Sequence, residues 1–112
     1  DPYKQLELGV RYDRGKGVPQ NHGLAAELYH AAAQQGVPEA QYNLGRIYLE
    51  GKHLRPDMIK AHMWFNLAIA RYPHGATEKR RQAVLARAVA EKRMTARQID
   101  EAQQRALDWR PQ

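Results

Sequence analysis

The sequence predicts an all-α fold: an alpha-alpha superhelix, or solenoid, of two helix-loop-helix repeats of 36 residues followed by a C-terminal helical hairpin cap. Three observations carry this. The chain matches itself at a shift of 36 residues, a period in the range of stacked supersecondary units. Residues that start and stop helices fall at the same places in both copies. Strand formers are scarce, since the 43% hydrophobic content rests on Ala, Leu and Tyr, with one Phe. A chain of 112 residues supports one core rather than two. We therefore expect a single domain, with repeat one at about 2–36, repeat two at about 38–72 and capping helices at about 76–110.

Residues 1–40 laid on 37–76 give ten identities without a gap, against roughly two or three by chance. They pair Pro2 with Pro38, Gln5 with Gln41, Leu8-Gly9 with Leu44-Gly45, Tyr12 with Tyr48, Gly15-Lys16 with Gly51-Lys52, Ala25 with Ala61, Ala32 with Ala68, and Ala40 with Ala76. Other pairs keep their chemistry: Val18 with Leu54, Asn21 with Asp57, Leu28 with Trp64, and Tyr29 with Phe65.

The first helix of each copy opens at Pro2 or Pro38, where a missing N–H costs nothing in the first turn. It closes at Gly15 or Gly51, where a left-handed residue is easiest for glycine. The second helix follows Asn21 or Asp57, whose side chains accept from free N–H groups of the first turn, and ends near Gly36 or before Pro73. Ala40, Leu44, Gly45 and Tyr48 share one side of their helix. Gly9 and Gly45 lie in helix interiors, where glycine costs about 1 kcal/mol relative to alanine, so each predicts close approach of a neighbouring helix. Leu28, Tyr29 and Ala32, like Trp64, Phe65 and Ala68, supply the bulk that fills the space between helices.

The third period keeps Ala76 but places Arg80-Arg81 where Leu-Gly stood and Val84 where Tyr stood. It predicts an Ala-rich helix over about Thr77 to Lys92, a break at Arg93-Met94, and a last helix opened by the Thr95-x-x-Gln98 capping box. Ile99, Ala102, Ala106 and Trp109 form an apolar stripe on that helix. A hairpin apolar on one side and charged on the other suits the end of a stack.

The pattern Ala40, Leu44-Gly45, Tyr48, Gly51, Asp57, Lys60-Ala61, Trp64 and Ala68 resembles the Sel-one-like repeat (SLR), a relative of the tetratricopeptide repeat with a longer inter-helix loop. The first copy departs at Lys4, Asn21, Leu24 and Leu28. The stretch from Met94 to Trp109 is similar to a helix that follows such repeats in bacterial members. The resemblance implies a right-handed superhelical stack acting as a non-enzymatic adaptor, often in envelope assembly, secretion or host interaction. It favours a periplasmic or secreted location over a cytoplasmic one without settling it.

Such scaffolds bind on the concave face formed by the first helices, and the outward positions there are Tyr3, Leu6, Glu7, Val10 and Arg14 in one copy and Glu39, Tyr42, Asn43, Arg46 and Glu50 in the other. We expect Leu6, Val10 and Tyr42 to supply burial, Glu7 and Arg46 to orient a partner protein or peptide, and Asn43 and Glu50 to complete the surface. The alternative is that Tyr3, Leu6 and Val10 are covered by a preceding segment or a neighbouring repeat. With only two full units and a cap, self-association or a longer array is a further expectation.

No catalytic centre, metal site or cofactor site is expected. Cysteine and serine are absent, Thr77 and Thr95 read as helix starts, and Asp100-Glu101 lies on a charged helix. Gly15-Lys16-Gly17 lacks the rest of a phosphate loop. His22, His30, His53, His62 and His74 do not cluster in sequence and are expected mostly at the surface. The uncharged run Met63 to Ala70 falls far short of the roughly 20 residues of a membrane span, and no signal-peptide pattern is legible. The net charge of +6 is uneven: residues 71–112 hold ten Lys or Arg against five Asp or Glu. Nucleic acid or another anionic surface is thus the alternative partner of the C-terminal helices. Against it, Arg87–Glu91 and Arg97–Glu101 have intrahelical pair spacing, and no aromatic residue interleaves the charges before Trp109.

Overall fold

Two glycines with left-handed backbones mark the repeat. In the computed structural model, which describes all 112 residues, Gly15 and Gly51 both take φ of 68° and end α1 (Pro2–Arg14) and α3 (Pro38–Glu50). Their partners α2 (His22–Gln34) and α4 (Met58–Arg71) start on Asn21 and Asp57, which accept from Leu24 N and Lys60 N at 3.0 Å each. The connecting loops close with the same backbone bond, Asn21 N to Tyr12 O (2.9 Å) and Asp57 N to Tyr48 O (3.1 Å). Helices α5 (Thr77–Glu91) and α6 (Ala96–Asp108) follow, the latter opened by the Thr95–Gln98 capping box. The fold is the all-α solenoid of the sequence reading.

Each helix packs on the next from α1 through α5. The core lies where α2, α3 and α4 meet: Ala25, Tyr29, Ala32, Ala33, Ala40, Leu44 and Trp64 are all buried. Small residues let the helices approach and aromatic rings fill the remaining space. At both interior glycines the approach is as expected. A Cβ on Gly9 would stand 2.9 Å from Tyr29 Cε1, and one on Gly45 would stand 2.7 Å from Phe65 Cε1. Equivalent residues at the two levels differ in cover, however. Leu44 is fully buried under α2, whereas Leu8 is 39% exposed, because none of the six helices packs over its side of α1 as α2 packs over α3.

The two closing helices depart from the repeat in how they dock. Helix α6 packs on α4, not along α5 as α2 and α4 pack along α1 and α3. Its far end reaches back to α2: the Trp109 ring stands edge-on to Trp64 at 6.1 Å between centroids, lies under the Arg71 guanidinium at 4.8 Å, and donates Nε1–H to Gln34 at 3.4 Å. On the inner face of the last helix Ala102 is buried, and Ile99, Ala106 and Trp109 are half-buried. On α5, Val84, Leu85 and Val89 remain exposed.

Part-buried polar groups around the buried His62 join α4 to α5. The Arg87 guanidinium donates to Asn66 Oδ1 at 2.6 Å, which turns the Asn66 amide nitrogen toward His62 Nδ1 at 3.2 Å. His62 Nδ1 is therefore the acceptor, and its Nε2–H donates to Glu91 at 2.7 Å. His62 is fully buried, the exception to an expectation of mostly surface histidines that His30, His53 and His74 meet. Glu91 turns to His62 rather than to Arg87, and Glu101 pairs with Arg105 at 3.4 Å rather than with Arg97.

Candidate partner-binding site

On α1, Tyr3, Leu6, Glu7, Val10 and Arg14 fall on one face at helical spacing. Opposite them stands Glu39 in the first turn of α3, and together with Arg11 and Lys16 they line a concavity of 330 Å³. A second concavity of 240 Å³ shares Tyr3, Leu6 and Glu39 with the first, and continues to Val37, Pro38, Tyr72, Pro73, Ala76 and Lys79. The two form one groove from the turn after α1 to the start of α5. Its floor is apolar: Tyr3 is 65% exposed, and Leu6 and Val10 are half-buried. Within it Glu7 pairs with Arg11 at 3.3 Å and Glu39 with Lys79 at 3.6 Å. Burial, with Glu39 and Tyr42 nearby, pushes the Tyr72 hydroxyl above the ordinary phenol range, so it stays a neutral donor.

Of the residues singled out from sequence, Leu6, Glu7 and Val10 line this groove, while Tyr42, Asn43, Arg46 and Glu50 do not. The expectation that Tyr42 stands clear of the core is corrected. Its ring packs on Phe65 at 5.8 Å and against the cluster of Ala68, Tyr72 and Ala83, because α3 is an inner helix. Asn43 is half-buried. Arg46 is engaged by Asp13 at 3.5 Å and by Glu50 at 3.3 Å.

Asp13 is the residue that the sequence reading missed. Its Oδ1 meets His22 Nδ1 at 2.9 Å, and its Oδ2 accepts from the Tyr29 hydroxyl at 3.0 Å and from Arg46 at 3.5 Å. One carboxylate thus ties α1, α2 and α3 together. Burial alone would raise its pKa, but the bonds from His22 and Tyr29 and the Arg46 charge outweigh it and hold the group below its ordinary value. Tyr29 is pushed the other way, by burial and by the Asp13 charge. The signal lay in a coupled difference. Where the first copy has Asp13 and Tyr29, the second has Leu49 and Phe65, a polar pair replaced by an apolar one. Two histidines distant in sequence also meet here, since His22 and His53 stack with centroids 4.0 Å apart.

Most cations of the C-terminal third are engaged. Arg80 donates to the Tyr72 and Pro73 carbonyls, Arg87 to Asn66, and Arg110 to the Leu107 and Trp109 carbonyls. Arg71 lies over Trp109, and Lys79, Arg81 and Arg105 have carboxylate partners. No helix is long and apolar enough to cross a membrane.

Comparison with known proteins agrees with this architecture. The family model of the Sel1 repeat matches residues 5–37 and 38–72. The chitin synthase regulator SKT5 of Malassezia restricta is 46% identical over 46 residues, which is 40% of this chain and 3% of that protein. A protective antigen present in uropathogenic Escherichia coli strains, solved as an SLR fold, superposes with a TM-score of 0.81 at 30% identity, covering 97% of this chain and 22% of the antigen. A Sel1 repeat protein from Oxalobacter formigenes superposes at 0.63 with 28% identity, covering 88% and 46%. The chain spans less than half the length of each of these relatives. Sel1 repeat proteins are in general protein-interaction scaffolds, and their fold is not an enzymatic one. With its glycine-punctuated helix pairs and with both units matched in register, the chain belongs to the Sel1 repeat family.

Proposed function

We propose that this chain is a protein-interaction scaffold that holds a partner protein or peptide on the face formed by its first helices, α1 and α3. The supporting observation is the continuous groove over Tyr3, Leu6 and Glu39, an apolar floor with charged walls. Concave, mostly apolar surfaces with a few placed charges are where peptides gain affinity by burial and register by electrostatics. Leu6, Glu7 and Val10 contribute directly. Tyr42, Asn43, Arg46 and Glu50 act through the shape of α3 and through the Asp13 bridge that holds α1 beside it. The basic C-terminal helices offer a weaker case for nucleic acid, since phosphate binding there would compete with the contacts just described.

Site-specific photo-crosslinking tests the reading. A benzophenone amino acid placed at Tyr3 should capture the cellular partner, and one placed at Glu101 on α6 should not. Capture from position 101 alone would reverse the assignment.

A further inference from the structure

We propose that the groove takes an extended, acidic segment of a partner protein, with an apolar side chain seated among Tyr3, Pro38, Tyr72 and Pro73 and a carboxylate about five residues away held by Arg14 and Lys16. This rests on the reading of the groove as the binding face and adds the chemistry of what binds there.

The charge inventory of the groove carries the proposal. Its two anions already have cations, Glu7 with Arg11 and Glu39 with Lys79. Arg14 and Lys16 line the same groove and take part in none of the ion pairs or side-chain hydrogen bonds of the chain, so one end carries two uncompensated positive charges. The other end is an apolar pocket walled by two prolines and two tyrosines, with the Tyr72 hydroxyl kept neutral by burial. A ligand that satisfies both ends carries a negative charge and an apolar group. Their separation follows from the helix that joins them. Tyr3 to Arg14 is eleven residues along α1, about 16 Å at 1.5 Å per residue, which an extended segment crosses in about five residues.

Other occupants fit less well. A second copy of this chain brings a net charge of +6 against the cationic end. A nucleic acid backbone needs a cation for each successive phosphate, and beyond Arg14 and Lys16 the cations of the groove are already paired with Glu7 and Glu39.

The test selects heptapeptides from a random display library on the full chain and measures the enriched peptides by fluorescence polarisation. The expected peptides carry Asp or Glu four to six positions from Leu, Ile, Phe or Trp. Arg14→Glu combined with Lys16→Glu should weaken them tenfold or more, and Arg14→Gln with Lys16→Gln several-fold. Changing the peptide acid to its amide should weaken binding to the wild type but not further to the Arg14→Gln, Lys16→Gln chain, because the same contact is removed twice. All three altered positions are exposed, and circular dichroism checks that each variant folds. Enrichment without acidic residues, or affinity indifferent to both pairs of substitutions, overturns the proposal. Tyr3→Ser separates the two levels. If it alone weakens binding, the groove stands and the acidic preference falls; if nothing in the groove affects binding, both fall. A dimer seen by sedimentation that Tyr3→Ser dissolves would make a second copy the occupant and overturn the proposal as well.

Discussion

Replacing Gly45 by leucine tests the packing on which the second repeat depends. Any side chain there begins with a Cβ standing 2.7 and 2.8 Å from Phe65 Cε1 and Cδ1, and 3.2 Å from the Ala61 carbonyl oxygen. Carbon atoms rest at about 3.5–4.0 Å, so the ring or the helix must retreat by roughly 0.7 Å or more before the rest of the leucine is placed. Phe65 is fully buried and has no open space to enter. Overpacking of this kind costs about 1–3 kcal/mol, occasionally more. The helix propensity gained by removing glycine returns at most about 1 kcal/mol. With the Phe65 ring and the Ala61 carbonyl both in the way, the overpacking cost falls at the upper end of its range, and the net expectation is a loss of about 2 kcal/mol. At about 2.1 cal/mol/K per residue, the unfolding entropy of this chain converts that to a fall of about 8 °C in Tm. The assay is thermal and urea unfolding followed by circular dichroism at 222 nm, with two alanine controls. Gly23→Ala lies in α2 where a Cβ meets only Asn21 Oδ1 at 3.5 Å, and should gain up to about 1 kcal/mol. Gly9→Ala, whose Cβ would meet the Tyr29 ring at 2.9–3.0 Å, should fall between the two. A Gly45→Leu chain that melts at or above the wild-type temperature, or a tolerance order other than Gly23, Gly9, Gly45, would refute the argument.

Two more outcomes follow from the polar and aromatic ties. Because the Asp13 carboxyl is held below its ordinary value of 3.8 in the folded chain, the stability it contributes is complete above that value and lost as pH falls through the lower, folded one. Urea midpoints taken from pH 7 to pH 2 should therefore fall more steeply in the acid range for the wild type than for Asp13→Asn, and parallel profiles would contradict the hub. Trp109→Ala removes the contacts with Trp64, Arg71 and Gln34 and should cost about 2 kcal/mol for a half-buried ring. Hydrogen exchange should rise in α6 first while α2 and α3 stay protected; uniform loss of protection would show that Trp109 does not act as a local anchor.

What the sequence revealed divides by physical range. Helix boundaries were legible because they are set locally: Pro38 at a first turn, Asp57 capping Lys60 N, Gly51 in the left-handed region. The pairing of α1 with α2 and of α3 with α4 was legible because repetition reports it twice, through Gly9 and Gly45. The Asp13 network was not, because its partners lie 9, 16 and 33 residues away and occur in one copy only. Tyr42 misled for a related reason. Helical periodicity puts it opposite the Leu44 side, but α3 is flanked by other helices and has no wholly free side. The site was therefore half readable. The α1 face could be named residue by residue, whereas Tyr72, Pro73 and Lys79 join it, beside Pro38 at the start of α3, through the return of the chain at the end of α4.

The placement of α6 follows from the same glycine argument extended one period further. Gly9 admits Tyr29 and Gly45 admits Phe65, each at a distance that no Cβ tolerates. The third position in that series is Arg81, an exposed side chain paired with Glu78 at 3.6 Å. A second helix laid along α5 in the register of α2 and α4 would meet this side chain where the earlier ones meet bare backbone. Helix α6 settles instead on α4, where Ala102 and Ala106 are small enough for close contact and Trp109 spans to α2. Val84 and Leu85 then stay exposed on α5, because the substitution that ends the repeat also removes the helix that would have covered them.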